Sequence, residues 1–339
     1  MSAALPRRYT GGVPPHRDRS AAHRAPENRP ILLLDGGTGR ELLRRGAPFR
    51  QPEWSALALM EGPAFVSEVH RSYIRAGAQV ITTNSYALVP FHIGPDRFAR
   101  DGSRLAALAG SLAREAADEA PGPVRVAGSL PPVCGSYRPD LFDVDEARPV
   151  LARLVAALEP YVDLWLSETV SSGAEMELMQ ERVSHSRHPW WVSYTLADEP
   201  TSSAEPQLRS GESVTMAVAH AAQRGAQAVL FNCCQPEVIA RAMPAARRTL
   251  DATATADVRL GGYANAFAPQ GQTAAANAGL SALRADLDPP QYLRWVWQWL
   301  RDGADTVGGC CGVGPEHIAM IQEALGRAKV TGSGAAEGL

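Results

Sequence analysis

Residues 226–239 read AQAVLFNCCQPEVI. An apolar run, Ala226–Phe231, gives way to Asn232, Cys233 and Cys234. Pro236 follows, and proline suits the first turn of a helix because its missing N–H has no partner there in any case. The stretch therefore spells a strand, a polar turn and a helix start.

The same grammar recurs along the chain. Short runs rich in Ile, Val and Leu occur at Ile31–Leu34, Gln79–Thr83, Val124–Ala127, Asp163–Leu166, Trp191–Tyr194, Val258–Gly261 and Asp305–Val307, which with Ala226–Phe231 makes eight. The runs are continuously apolar rather than alternating, as strands of a parallel sheet buried on both faces must be. Between them lie segments of helical character: Pro63–Ala76, Ser103–Ala117, Glu146–Leu158 and Ser213–Gln223. Gly77 and Gly303 fall just past helix ends, where glycine accepts the left-handed conformation. Pro315, like Pro236, fits a first helical turn. Eight strand–helix units in a chain of 339 residues predict a single-domain (β/α)8 TIM barrel, with a doubly wound open sheet as the competing arrangement. The barrel is expected over 29–329. Residues 1–28, rich in Pro, Arg, Ala and Gly, read as a disordered leader, and 330–339 as a flexible tail.

Composition narrows the function classes. Hydrophobic residues make up 45% and charged residues 20%, an ordinary globular balance, and the formal net charge is -3. No basic excess points to nucleic acid. No apolar run approaches the ~20 residues needed to span a membrane, and the N-terminus lacks the apolar centre of a secretory signal. A cytoplasmic setting follows, in which the five cysteines are reduced thiols.

In a barrel of this type the chemistry sits at the C-terminal ends of the strands. Just past the apolar runs stand Asp35-Gly36-Gly37, Asn84-Ser85-Tyr86, Gly128-Ser129, Glu168-Thr169, Asn232-Cys233-Cys234, Tyr263-Ala264-Asn265 and Gly308 to Gly312. Cys233 ends the sixth strand, and Cys310 and Cys311 end the eighth, so all three face one rim. Three thiolates suit Zn2+ at about 2.3 Å and leave a fourth position open, the mark of a catalytic site. Gly308, Gly309 and Gly312 give the backbone the freedom that adjacent ligands require. A vicinal Cys310–Cys311 redox disulfide is the alternative use of that pair. Cys134 reads as a small buried hydrophobe. Cys234 points away from Cys233 if the strand continues. His317 reads as a surface or capping residue, and His70 and His220 as helix packing residues.

The segments LLLDGGTGREL, ITTNSY, VAGSLPP, LWLSET, FNCC and GGCCGVGPEHI resemble the homocysteine S-methyltransferase family, from about Ile31 to about Ala328. That family includes betaine–homocysteine and S-methylmethionine–homocysteine methyltransferases. The resemblance implies a (β/α)8 barrel and zinc held by Cys233, Cys310 and Cys311. It also implies that Asp35 and Glu168 hold the substrate amino group, and that amides around Gly36, Gly37 and Thr38 receive its carboxylate at a helix N-terminus. Asn232 belongs to the same substrate-binding set. Two plainer roles compete: Asp35 as a helix cap and Glu168 as the partner of an arginine.

The activity so implied is zinc-dependent methyl transfer to the thiol of homocysteine, giving methionine. The partners are then small molecules, homocysteine and a methyl donor, with the oligomeric state left open. No room remains for folate or cobalamin modules, which leaves a small sulfonium or ammonium donor: S-methylmethionine first, then S-adenosylmethionine, then glycine betaine. Residues Pro131 to Arg138 depart from the Gly-Pro-Tyr-Gly type of sequence associated with S-methylmethionine enzymes, and Glu168-Thr169-Val170-Ser171 lacks a common proline. Tyr86, Tyr137 and Tyr263 are the candidates for facing a cationic donor through their rings, or else for packing at the rim. Two other classes compete: a zinc-stabilised binding barrel, which needs a fourth protein ligand, and a metal-free thiol redox protein using Cys310 and Cys311.

Overall fold

The computed structural model describes residues 29–198, 205–253, 255–269 and 282–331. Eight parallel strands run β1 Leu32–Leu33, β2 Val80–Thr82, β3 Arg125–Leu130, β4 Leu164–Val170, β5 Trp190–Tyr194, β6 Ala228–Asn232, β7 Arg259–Tyr263 and β8 Thr306–Val307. Their order is β1-β8-β7-β6-β5-β4-β3-β2. A parallel bridge between Leu34 and Val80 joins the two ends of that order. Hydrogen bonds from Gln79 N to Leu33 O (2.8 Å) and from Asp35 N to Val80 O (3.0 Å) extend it. The sheet is thereby a (β/α)8 barrel, and the open-sheet alternative is excluded.

Helices α1 Thr38–Arg44, α2 Ser55–Glu61, α3 Pro63–Arg75, α4 Pro90–Ile93, α5 Pro95–Asp118, α6 Val144–Leu158, α7 Gly173–Val183, α8 Val214–Gln223, α9 Pro236–Ala252, α10 Pro289–Arg301 and α11 Pro315–Thr331 surround it. Proline opens α3, α5, α9 and α10. Gly77 and Gly303 take φ of 103° and 102° beyond the ends of α3 and α10, as their positions predicted. Helix α11 runs through Thr331, two residues into the segment expected as the tail. Residues 1–28 and 332–339, expected as leader and tail, lie outside the described residues. No helix among the described residues is long and apolar enough to cross a membrane.

Among the described residues, the buried apolar side chains form two clusters. The larger lies between strands and helices and holds Trp165, Trp299, Tyr73 and Phe231. The smaller lines the barrel interior: Leu34, Val80, Ala127, Leu164, Leu166, Trp191, Ala228, Leu230 and Tyr263. Side chains alternate along a strand. Thr82, Ser129, Glu168, Ser193 and Asn232 therefore follow Val80, Ala127, Leu166, Trp191 and Leu230 into the same interior, one layer nearer the C-terminal mouth. The barrel is apolar below and hydrogen-bonding above, and that upper layer supports the site. Of the tryptophans in α10, Trp299 is fully buried and Trp295 and Trp297 are partly buried against the larger cluster.

Candidate metal and substrate site

Asn232 ends β6 pointing inward. A continuing strand would then turn Cys233 outward. Instead Cys233 adopts φ 52°, a left-handed conformation that non-glycine residues rarely take, and its sulfur joins the mouth of the barrel. Its carbonyl accepts a hydrogen bond from Thr195 Oγ1 at 3.2 Å. The same break turns Cys234 away from the cluster, where it is buried in the larger core; it lies opposite Cys233 as expected, but because the strand is interrupted rather than continued.

After β8 the chain turns tightly. Gly309 N donates to Asp35 O (2.9 Å), Cys310 N to Ala264 O (3.0 Å) and Val313 N to Cys310 O (3.0 Å). Gly312 sits at φ 90°. This turn presents both cysteines inward. The sulfurs of Cys233, Cys310 and Cys311 lie within 4.8 Å of one another. Cys233 and Cys310 sulfurs are 2.9 Å apart, and all three cysteines are free thiols.

The donor set suits a metal ion. Bonds of about 2.3 Å in a tetrahedron put sulfurs about 3.8 Å apart, which falls between the 2.9 Å of Cys233 and Cys310 and the 4.8 Å that encloses all three. Without a cation, three thiolates at this range repel. Accordingly, hydrogen bonds from Cys310 and Cys311 hold the Cys233 thiol well below the usual range, while hydrogen bonding to Cys233 pushes Cys310 and Cys311 well above it. Among the described residues no fourth Cys, His, Asp or Glu joins the group.

Asp35 and Glu168 flank the sulfurs from β1 and β4. Asp35 accepts hydrogen bonds from Thr82 N (2.7 Å) and Thr82 Oγ1 (3.1 Å) and caps no helix. Burial lifts its pKa to about 7. Glu168 accepts a short hydrogen bond from Ser129 Oγ and a long one from Tyr263 OH at 3.5 Å, with no arginine partner among the described residues. Burial is the main cause of its rise to about 8, reinforced by the charges of Cys233 and Asp35. Two buried carboxyls without a cationic partner among the described residues have the chemistry to accept a cation.

The expected carboxylate receptor is partly occupied. Gly37 N donates to Val313 O at 3.0 Å. The N–H groups of Gly36 and Thr38 donate to nothing among the described residues. Both glycines are also needed for space. A Cβ on Gly36 would stand 2.4 Å from Val313 O, and one on Gly37 would stand 2.5 Å from Cys310 O.

The Asn232 amide is largely committed inside the barrel, with one N–H turned to Cys310 Sγ at 3.9 Å. Its Oδ1 accepts from Thr169 N (2.9 Å) and Ser193 Oγ (2.8 Å), and its Nδ2 donates to Thr169 Oγ1 (3.0 Å).

The three tyrosines have their hydroxyls engaged, that of Tyr263 on Glu168. Tyr86 OH pairs with Ser136 Oγ at 2.5 Å. Tyr137, at φ 67°, hydrogen-bonds Cys233 and has one ring face covered by Arg209, whose guanidinium carbon lies 4.5 Å from the ring centroid. Arg209 is in turn paired with Asp198 at 3.1 Å, both buried. Tyr137 thus already stacks a cation of its own chain. Cys134 is half-buried, its sulfur accepting from Asp143 N at 3.5 Å, away from the cluster. His317 is buried, unlike a surface residue, and caps: Nδ1 accepts from Gly314 N at 3.2 Å while Nε2 donates to Leu287 O at 3.1 Å. His70 is fully buried in the helix layer.

Sequence reasoning named Ser129 at the rim without a role and passed over Thr82, Ser193, Asp198 and Arg209. The signal for Thr82 and Ser193 was available: each stands two residues beyond an inward apolar residue. The last two come from the β5–α8 connection, where no period exists to read.

Residues 32–325 match the profile of the homocysteine S-methyltransferase family. The chain belongs to that family. The homocysteine S-methyltransferase of Escherichia coli strain K12 is 31% identical over 87% of this chain and 96% of that protein. A selenocysteine Se-methyltransferase of Brassica oleracea var. italica is 24% identical over 86% of this chain and 88% of that protein. Among solved structures, the metallated form of the Escherichia coli homocysteine methyltransferase MmuM aligns with a TM-score of 0.68 and 30% identity, covering 88% of this chain and 97% of that one. The chain is thus a methyltransferase of the homocysteine S-methyltransferase family.

Proposed function

We propose that this family member catalyses zinc-dependent methyl transfer from a small sulfonium donor, S-methylmethionine first, to the sulfur of homocysteine, yielding methionine. One observation carries the reading: Cys233, Cys310 and Cys311 converge without a fourth Cys, His, Asp or Glu ligand among the described residues. That arrangement favours a catalytic site over the zinc-stabilised binding barrel, and the free thiols give no support to a Cys310–Cys311 disulfide.

A free thiol has a pKa near 8.5 and is mostly protonated at neutral pH. Zinc, when bound, supplies Lewis-acid activation that makes the substrate sulfur a thiolate. The chain does the rest. Cys233, Cys310 and Cys311 hold the ion. Asp35 and Glu168 neutralise and orient the substrate ammonium, whose charge in turn stabilises their ionised forms. The amides of Gly36 and Thr38, at the start of α1, receive the carboxylate. So held, the substrate sulfur attacks the donor methyl in line as the carbon–sulfonium bond breaks. The donor leaves as a neutral thioether and needs no general acid. Alignment and thiolate generation are the main catalytic contributions. Tyr86 and Tyr263 are the rings left to face the donor cation. The cytoplasm, which keeps thiols reduced, is the setting this chemistry requires.

The test is an assay of zinc-loaded protein with homocysteine against S-methylmethionine, S-adenosylmethionine and glycine betaine, reading methionine by mass spectrometry. A parallel arm offers selenocysteine as acceptor, since relatives carry that name. Methionine formed fastest from S-methylmethionine and abolished in Cys310→Ser supports the proposal. Turnover of the zinc-free protein, or methylation of selenocysteine alone, overturns it.

A further inference from the structure

Thr169 follows Glu168 directly and sits at φ 60°. A β-branched residue avoids that conformation unless its surroundings impose it. The imposing group is Asn232 on β6, which reaches across β5 inside the barrel. Its Oδ1 takes the Thr169 main-chain N–H at 2.9 Å and the Ser193 hydroxyl at 2.8 Å. Its Nδ2 donates to Thr169 Oγ1 at 3.0 Å. A main-chain N–H can only donate, so the orientation of the Asn232 amide is fixed by its partners. The second N–H of Nδ2 faces Cys310 Sγ, 3.9 Å away.

This arrangement directs a proton. Thr169 Oγ1 spends a lone pair on Asn232, which leaves its own hydrogen for another acceptor. Cys233 Sγ and the Tyr86 phenol are both within its reach. A thiolate is the stronger acceptor of the two.

We propose that Asn232 and Thr169 form a positioning pair for the metal site. Together they give hydrogen bonds to two of the three ligating sulfurs, and they lock the backbone turn that aims Glu168 into the barrel. The proposal rests on the zinc reading above and extends it to groups that touch neither substrate nor metal. It reassigns Asn232 from substrate binding to support. Hydrogen bonds to a thiolate withdraw charge from sulfur, so the pair moderates how strongly Cys233 and Cys310 donate to the ion. Such outer partners of metal ligands typically change metal affinity by about 10- to 100-fold.

The two jobs separate by mutation. Thr169→Val removes the hydroxyl but keeps the main-chain bond to Asn232 Oδ1. Asn232→Ala removes both. Each protein is loaded with cobalt(II) alone, whose sulfur-to-metal charge-transfer absorption reports thiolate donation without turnover. In Thr169→Val the band moves to lower energy, and KM for homocysteine stays within about threefold of native. Thr169→Ser restores the native band. In Asn232→Ala the band moves further, metal affinity falls about 10- to 100-fold, and KM rises at least tenfold because Glu168 loses its aim. A Thr169→Val spectrum identical to native overturns the thiolate role, and that variant decides the matter even if Asn232→Ala fails to fold. An unchanged KM in folded Asn232→Ala overturns the aiming role. Absence of a thiolate band in the native cobalt protein refutes the metal site itself, an outcome distinct from either.

Discussion

Replacing Gly37 with alanine tests how rigidly the turn after β1 supports the turn after β8. Gly37 has φ -72° and ψ 108°, which any residue adopts, so backbone strain is not at issue. Space is. The added Cβ would lie 2.5 Å from the carbonyl oxygen of Cys310 and 3.0 Å from Cα of Cys311, and Cβ contacts below 3.0 Å essentially do not occur. The cysteine turn must therefore retreat by at least half an ångström along the Cys310 contact. Metal–ligand distances tolerate about 0.2 Å. Overpacking of this kind costs about 1–3 kcal/mol of stability, while the misplaced sulfurs lower zinc affinity by at least tenfold. Competition against a chromophoric chelator reads the affinity, and urea denaturation of the metal-free protein reads the stability. Gly122→Ala is the control, because nothing lies within 4 Å of its Cβ position. A Gly37→Ala protein that binds zinc within twofold of native and turns over normally refutes the claim that the two turns are packed to this tolerance.

Titration of the buried acids gives a second expectation. Burial raises Glu168 from 4.5 to about 8 and Asp35 from 3.8 to about 7. Across that window the folded chain keeps protons that the unfolded chain has released, so stability of the metal-free, substrate-free protein falls as pH rises from about 4.5 to about 8. Glu168→Gln should flatten the upper part of this slope in urea titrations while raising KM for homocysteine at least tenfold; an unchanged slope contradicts the assignment. Tyr73 OH reaches both Val313 O (3.0 Å) and Gly37 O (3.1 Å), so Tyr73→Phe should cost about 0.5–1.5 kcal/mol in urea denaturation by removing a buried hydrogen bond, Val313 O keeping its bond from Gly37 N. Trp299→Ala, which empties a fully buried site and breaks the bond from Nε1 to Pro236 O (3.2 Å), should cost about 3–5 kcal/mol by the same measurement yet leave zinc stoichiometry intact.

Most of the scaffold could be read before folding because strands buried on both faces leave a continuous apolar signature. Pro63–Arg75 and Val214–Gln223 match their predicted spans closely, since amphipathic spacing and flanking glycine or proline mark both. Helices Ser55–Glu61 and Pro90–Ile93 went unread: they are too short to show a helical period. The cysteine cluster was legible because only one rim of a barrel can bring positions 233, 310 and 311 together. Its supports were not. The left-handed backbone at Tyr137, Thr169 and Cys233 is imposed by neighbours distant in sequence, and no local propensity announces it. Asn232 looked like a substrate ligand from its position beside Cys233, and only the Thr169 and Ser193 partners show its amide to be committed. Tyr137 looked like an open cation face until Arg209, from the β5–α8 connection, was found stacked on it.

The central claim is that three cysteine sulfurs hold zinc with one position reserved for substrate sulfur. X-ray absorption at the zinc edge, with and without homocysteine, tests it most directly. The account predicts three sulfur neighbours at about 2.3 Å and one lighter atom in the resting protein, becoming four sulfurs when homocysteine is added. A sulfur count that stays at three on saturation with homocysteine, or that is already four without it, contradicts the account.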